Sequence, residues 1–198
     1  MVYNLIRKHM TNSPEITFDM VTTKGGDKGN TSLYDGTRVP KNDNLIHFLG
    51  TMDTFTSFLG LAKAKTNQIQ FLRSEEVALF IENVQQRIIY LNGMAASPHD
   101  KKPGNPIVEE DIHFLEEFEK SLMEKLQLNP QFIIQGMSEL SATYDVARTF
   151  CREAERRIVE LIFDQNRRDL QTPQKFLNRL ADVIYIIARF IDQNYLEK

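Results

Sequence analysis

The chain contains a single cysteine, Cys151, and no tryptophan among its 198 residues. One cysteine cannot build a disulfide framework, so the sequence favours a reducing compartment, and we expect a cytoplasmic protein. No apolar run reaches the roughly 20 residues of a membrane-spanning helix, so no membrane association is expected. Residues 1–20 lack the apolar core of a secretory signal; a flexible N-terminal tail is the simpler prediction, and a short organellar presequence stays open.

The chain also lacks the excess of positive charge that proteins binding large polyanions carry. Lys and Arg number 24 against 27 Asp and Glu, for a net charge of −3. With no basic excess to neutralise a phosphate backbone, nucleic acid is not an expected partner. The four histidines show no metal-ligand spacing, so no protein-held metal is expected; they are His9, His47, His99 and His113.

From residue 42 onward, apolar residues recur at spacings of three and four, which predicts about five amphipathic helices. The predicted starts are Asn42 or Asp43, Ser74, the end of the Pro-rich loop 97–106, Ser138, and Thr172 as N-cap before Pro173. The first helix should end near Ala64 and the fourth near Phe163. Residues 21–198 should therefore form one all-α domain, an up-and-down bundle of ferritin-like appearance, with an extended stretch only at 132–134.

A polar, Gly-rich loop segment precedes the helices at residues 21–43, with the sequence VTTKGGDKGNTSLYDGTRVPKND. Its glycines allow tight turns that point successive N–H groups at one place, and such a nest, with Lys24 and Lys28 beside it, suits a polyphosphate. It is not a P-loop, because the GK[ST] ending is missing. Composition alone favours an ordinary surface turn. Arg38 and Lys41 could extend the same positive surface, but taken alone they are expected to be solvated charges.

Two arginines share one face of the fourth predicted helix. Arg148, Arg152 and Glu155 lie at helical spacing, and arginines one turn apart repel unless an anion lies near them. The anion is either a bound phosphate or a neighbouring acidic side chain, and the spacing alone slightly favours the acidic side chain.

The last predicted helix carries a polar residue within an apolar stretch. Asn178 interrupts that stretch one turn before Asp182, which is equally compatible with a ligand contact and with a structural bond between helices. Cys151 falls on the apolar side of its helix, so we expect a core residue rather than a nucleophile. No Ser/His/Asp order is evident either, and the residues alone indicate no covalent catalysis.

Taken together, four segments resemble the PduO-type ATP:cob(I)alamin adenosyltransferases over residues 21 to 191 or so. In order they are TKGGDKGNTSL followed by GTRVPKND, then GTMDTFTSFLG, ARTFCREAERR and FLNRLADVIYIIAR. The resemblance implies a homotrimer of helical bundles with active sites between neighbouring subunits. It implies transfer of the adenosyl group of ATP to reduced cobalamin, with Mg²⁺ arriving on ATP and a flavin-type reductase as a candidate partner.

The resemblance also assigns site residues, position by position. The ATP loop would comprise Thr23, Lys24, Gly25, Gly26, Thr31, Ser32 and Lys41. The nucleotide site would be completed by Arg152, Arg156 and Asn178, with Glu155 alongside. Arg148 would pair with Asp53 across the subunit interface, and Phe132 falls where the family has an aromatic residue beside the corrin ring. The implied catalytic set is Asp53, Phe132, Arg148 and Arg152.

Three positions depart from the family pattern. Glu153 stands where a second arginine is usual, Gln135-Gly136-Met137 replaces Pro-Gly-Gly, and Thr54-Phe55 replaces Glu-Leu. A carboxylate at 153 would weaken triphosphate binding unless it faces away or meets a lysine. Two alternatives therefore stay open: a non-catalytic sensor or carrier of ATP or adenosylcobalamin, and a helical scaffold without a ligand.

Overall fold

Long helices dominate the computed structural model, which describes residues 16–98, 104–128 and 133–194. A short helix, α1 (Phe18–Val21), precedes a hairpin of β1 (Asn30–Ser32) and β2 (Arg38–Pro40). The long helices are α2 (Asn44–Thr66), α3 (Ser74–Ala96), α4 (Glu109–Met123), α5 (Glu139–Asp164) and α6 (Gln171–Asn194). This arrangement confirms the predicted all-α bundle. Within the described ranges, no helix is both long and apolar enough to cross a membrane.

Side-chain caps fix two of the predicted helix starts. The Asp43 carboxylate accepts a hydrogen bond from the backbone N–H of Leu45 at 2.8 Å, and Ser138 Oγ accepts one from Ser141 N at 3.0 Å. Each cap satisfies an N–H group that has no partner inside its own helix. Of the two candidate caps for α2, Asn42 and Asp43, the structure selects Asp43, and the predicted start of α5 at Ser138 is confirmed.

The predicted start of the last helix is wrong. A 3₁₀ turn over Arg168–Leu170 leads directly into α6 at Gln171, so Thr172 lies inside the helix instead of capping it. The backbone N–H of Leu170 donates to the carbonyl of Arg167 at 3.0 Å, and this turn takes the place of a side-chain cap. The short turn follows Asn166, whose positive φ of 53° reverses the chain after α5.

The helices α5 and α6 form the centre of the bundle. Helix α2 packs against both α3 and α5, and helix α6 packs against both α5 and α4. The largest fully buried side chains include Phe48 and Phe55 of α2, Tyr144 of α5, and Phe176 and Phe190 of α6. Because the apolar stripes of all five long helices meet in this core, their solvent-facing sides are left for polar and charged groups.

The loop segment contains a hairpin that the sequence did not predict. Its strands β1 and β2 pair antiparallel, with Thr31 opposite Val39. Asp35 and Gly36 turn the chain: Gly36 has a φ of 85°, and the Asp35 carboxylate accepts from Thr37 N at 2.9 Å. The extended stretch expected at 132–134 is not a strand at residues 133 and 134, and Phe132 lies outside the described residues.

A buried hydrogen bond joins α2 to α5. The hydroxyl groups of Thr66 and Tyr144 are 2.8 Å apart, and the Thr66 hydroxyl is also 2.9 Å from the carbonyl of Ala62. Thr66 donates to that carbonyl, which leaves Tyr144 to donate to Thr66. Burial raises the pKa of Tyr144 well above its ordinary value, so the phenol stays protonated and remains a donor.

Replacing Tyr144 with Phe should therefore lower the free energy of unfolding by about 1 kcal/mol, because Thr66 keeps its bond to Ala62. Urea denaturation followed by circular dichroism measures this loss as a lower midpoint at an unchanged slope. Tyr90→Phe is the control, since Tyr90 is an exposed residue, and its effect should stay within about 0.5 kcal/mol. Equal losses in the two variants would contradict the assignment.

Candidate functional site

The glycine loop before β1 is shaped by its own backbone and by β2. Lys24 has a left-handed φ of 54°, and Gly25 N donates to Thr23 Oγ1 at 3.4 Å. From β2, the guanidinium of Arg38 donates to the carbonyl of Gly25 at 2.7 Å and to Ser32 Oγ at 3.1 Å. Arg38, treated as a solvated charge at the level of sequence, therefore braces the loop. The sequence could not predict this contact, because the hairpin that places Arg38 beside the loop was not predicted.

A lysine lies directly against the second glycine of the loop. A Cβ atom added at Gly26 would lie 2.8 Å from Lys41 Nζ, closer than a real contact allows. The backbone N–H of Lys41 also donates to the carbonyl of Gly29 at 2.8 Å, which fixes where this residue follows β2. Gly26 thus allows an ammonium group to approach the loop backbone.

Positive charge gathers around this loop with little internal neutralisation. Among the described residues, neither Lys24 nor Lys28 has an ion-pair partner, and Lys41 is exposed beside Gly26. Lysines and backbone N–H groups in a glycine turn are the groups that bind phosphate oxygens. Most predicted ATP-loop residues, together with Arg38, are hence found in one small polar structure: Thr23, Lys24, Gly25, Gly26, Ser32 and Lys41.

A second polar surface lies on α5. Arg152, Glu155, Arg156 and Val159 line an open cavity of about 310 Å³. Glu155 Oε1 accepts a hydrogen bond from Asn178 Nδ2 of α6 at 2.9 Å, so the structure brings these two predicted site residues together. Asn178 makes the structural bond between helices that the sequence allowed, and it does so beside the arginines. Arg152 is exposed and, within the described residues, has no ion-pair partner.

The unusual carboxylate at 153 is neutralised on its own helix. Glu153 pairs with Arg156, and its second oxygen lies 3.0 Å from Arg157 Nε. Two arginines, and not the lysine considered from the sequence, therefore neutralise this carboxylate. Its negative charge is compensated in place, which removes the main electrostatic objection to an anion on this face.

The predicted partners Arg148 and Asp53 are not joined within one chain. Arg148 lines a cavity of about 350 Å³ with Gln135, Gly136 and Thr149. Asp53 is exposed and lines a separate cavity of about 540 Å³. In the described part of the chain, no hydrogen bond or ion pair links Asp53 to Arg148, nor the glycine loop to α5. The pairing predicted between subunits is therefore not formed inside one subunit.

Asp145, Arg148, Arg189 and Asp192 form a buried charge cluster. An acidic neighbour for Arg148 was expected from the sequence, and Asp145 is that neighbour, but the parts of Arg189 and Asp192 were missed. Arg189 Nη2 donates to Asp145 Oδ2 at 2.6 Å, and Arg189 Nε lies 3.0 Å from Asp192 Oδ2. Arg148 Nε lies 3.7 Å from Asp145 Oδ1. One signal was present in the sequence: Arg189 stands inside the apolar stretch of α6, where a charge needs a partner.

Cys151 is confirmed as a core residue. It is fully buried, and its Sγ donates to the carbonyl of Leu177 at 3.4 Å. Burial, and secondarily the charge of Glu155, raises the pKa of the thiol well above its usual range. Among the described residues, no group of three or more His, Cys, Asp or Glu side chains could hold a metal ion.

The fold and the site define a helical-bundle protein whose polar loop and arginine face suit a polyphosphate ligand. The family model for cobalamin adenosyltransferase matches residues 21–191. The corrinoid adenosyltransferase PduO of Salmonella typhimurium is 32% identical over 178 residues, and the match covers 88% of this chain. The chain spans about half the length of that relative, 50% of it, but 85% of a 32% identical corrinoid adenosyltransferase from Bacillus subtilis.

Solved structures agree with these matches. A variant PduO-type ATP:corrinoid adenosyltransferase from Lactobacillus reuteri, complexed with cobalamin and ATP, superimposes with a TM-score of 0.78 at 26% identity. That superposition covers 90% of this chain and 96% of the other. A second variant of that enzyme, complexed with ATP, gives a TM-score of 0.74 at 28% identity. The chain belongs to the cobalamin adenosyltransferase family.

The burial of Cys151 leads to a direct chemical test. Because the raised thiol pKa leaves almost no thiolate below pH 9, the native protein should not react with a thiol-specific disulfide reagent between pH 7 and 9. In guanidinium chloride, one thiol per chain should react promptly. Rapid labelling of the native protein, at a rate that rises with pH as for a free thiol, would show that Cys151 is accessible.

Proposed function

We propose that this protein transfers the 5′-deoxyadenosyl group of ATP to the cobalt of reduced cobalamin, giving adenosylcobalamin and triphosphate. The observation that carries the proposal is the glycine loop, where Lys24 and Lys28 are unpaired among the described residues and Lys41 packs against Gly26. Family membership and the likeness to an enzyme complexed with both ligands support it.

The reaction does not require the protein to supply a nucleophile or a general base. The electron pair of reduced cobalt attacks the 5′ carbon of ATP and forms the Co–C bond, while the C5′–O bond breaks and its electrons leave with triphosphate. The chain's tasks are then to align the two substrates and to stabilise the leaving polyanion. This division of labour is consistent with a buried, protonated Cys151.

The residues divide between these two tasks. The loop with Thr23, Lys24 and Lys41 would hold the phosphates, and Mg²⁺ would arrive with ATP as their counter-ion. On α5, the exposed Arg152 would bind the growing negative charge of the leaving group, and Arg156 would join it by leaving Glu153 to its other partner, Arg157. Phe132 would lie beside the corrin ring and exclude the lower axial ligand of cobalt, which would make cobalt reduction easier.

A homotrimer would bring the loop and the arginine face together. Inside one subunit, the described residues provide no bond between the glycine loop and α5, so a site that uses both is best completed by a neighbouring subunit. Arg148 and Asp53 would then pair across that boundary. We place the trimer in the cytoplasm, with a flavin-type reductase supplying the electrons.

A non-catalytic sensor or carrier is the less favoured alternative. The reason for considering it is the carboxylate of Glu153, which would weaken triphosphate binding if its charge were not compensated. Because Glu153 pairs with Arg156 and Arg157, its charge is compensated and gives no reason to expect lost turnover.

An anaerobic assay with ATP and chemically reduced cobalamin tests the proposal. The expected result is a light-sensitive Co–C bond, detected by its visible spectrum, together with one triphosphate released per cofactor formed. Reactions lacking ATP or protein are the controls. A correctly folded trimer that binds both substrates without turnover would favour the alternative function and defeat the proposal.

The two neighbouring glycines of the loop provide a matched pair of variants. Gly26→Ala should raise the KM for ATP about tenfold, because the new methyl group displaces Lys41 Nζ, which lies 2.8 Å from the added Cβ. Gly25→Ala should change it much less, since the nearest atom to its Cβ is Thr23 Oγ1 at 3.5 Å. Steady-state kinetics with varied ATP decides; equal effects in the two variants would exclude a role for the Lys41 contact.

The interface pair generates a prediction about assembly. Arg148→Ala or Asp53→Ala should weaken both the trimer and activity. In the proposed trimer the pair would be buried between subunits, and removing one partner of a buried pair costs on the order of 3–5 kcal/mol. Light scattering during gel filtration measures the assembly. Lys63→Ala is the control: its 3.6 Å pair with Glu82 lies on the surface of the subunit and should be dispensable. Fully active trimers in both variants would show that the pairing is wrong.

A further inference from the structure

The buried charge cluster of α5 and α6 contains two positive and two negative side chains. Arg189 and Asp145 expose only 3% and 7% of their side chains, and Asp192 exposes 6%. Arg148 is the most exposed of the four, at 21%. Arg148 and the buried Asp145 both line the cavity that Gln135, Gly136 and Thr149 also line. The cluster therefore has a buried core and one member that reaches the surface.

Asp145 lies between the two arginines. Its Oδ2 accepts from Arg189 at 2.6 Å, and its Oδ1 lies 3.7 Å from Arg148 Nε. Both guanidinium groups also lie against the ring of Tyr185, at 5.7 Å for Arg148 and 5.3 Å for Arg189. Two cations beside one ring repel each other, and the carboxylate of Asp145 compensates that repulsion.

The arrangement restricts the orientation of Arg148. Its Nε is buried and faces Asp145, although the two atoms are too far apart for a hydrogen bond, and Tyr185 limits rotation of the planar group. The terminal nitrogens of Arg148 have no partner among the described residues. A buried ion network is not in itself a strong source of stability, so a role in fixing geometry accounts for it better.

We infer that Asp145 is a positioning residue: anchored by Arg189, it aims the guanidinium of Arg148 out of the α5–α6 core and into the cavity beside Gln135 and Thr149. This inference rests on the proposed function for its kinetic consequence. Asp192 also pairs with Arg189, but among the ion pairs of the described residues Arg148 is paired with Asp145 and not with Asp192, so the two aspartates differ in one respect that can be tested.

The test compares Asp145→Asn with Asp192→Asn, which remove one buried charge each at nearly unchanged volume. Both should lower the melting temperature by a similar amount. Asp145→Asn should reduce kcat/KM about tenfold or more, as expected for a displaced positioning group, whereas Asp192→Asn should stay within about threefold of wild type. In an Arg148→Ala background, Asp145→Asn should cause no further loss of activity, because its effect passes through Arg148.

A second measurement is independent of turnover. The Nε–H signal of Arg148 in ¹⁵N NMR, assigned with Arg148→Lys, should show increased mobility in Asp145→Asn and little change in Asp192→Asn. Equal mobility and equal activity loss in both variants, or additive losses in the Arg148→Ala background, would overturn the inference. An inactive wild type would defeat the proposed function instead, and the NMR comparison would still decide the role of Asp145.

Discussion

The packing of α5 against α6 is the constraint on which the candidate site depends. These helices bury the apolar residues at the centre of the bundle, and the same contact carries the Asn178–Glu155 bond and the Arg189–Asp145 pair. A charge buried in such a contact needs an opposite charge beside it. The polar face of α5 is therefore tied to α6 at two points, through Glu155 and through Asp145.

Prediction from sequence succeeded where the signal is local. Apolar spacing located the long helices. The starts at Asp43 and Ser138 could be predicted because a cap bonds only to residues a few positions away. Thr172 failed as a cap because a 3₁₀ turn starting at Arg168 had already begun the helix. The hairpin was missed because strands of three residues are too short to show alternation.

The candidate site, like the fold, could be predicted only where the signal is local in sequence. The Gly/Lys loop and the α5 arginines have distinctive compositions, so their residues could be named, and the family resemblance supplied their roles. The contacts of Arg38 with Gly25, of Lys41 with Gly26, and of Arg189 with Asp145 join residues distant in sequence. No periodicity or motif encodes such contacts, and only the folded chain shows which charges are braces and which face outward.

The seclusion of the one native thiol has a practical consequence for spectroscopy. Because Cys151 is fully buried, a cysteine introduced at an exposed position such as Tyr34 or Phe163 would be the sole accessible attachment point for a dye. Tyr34 lies in the hairpin turn and Phe163 near the end of α5, so single labels there would sit on separate parts of the subunit. Energy transfer between differently labelled chains would then test the proposed trimer without removing any native residue from the core.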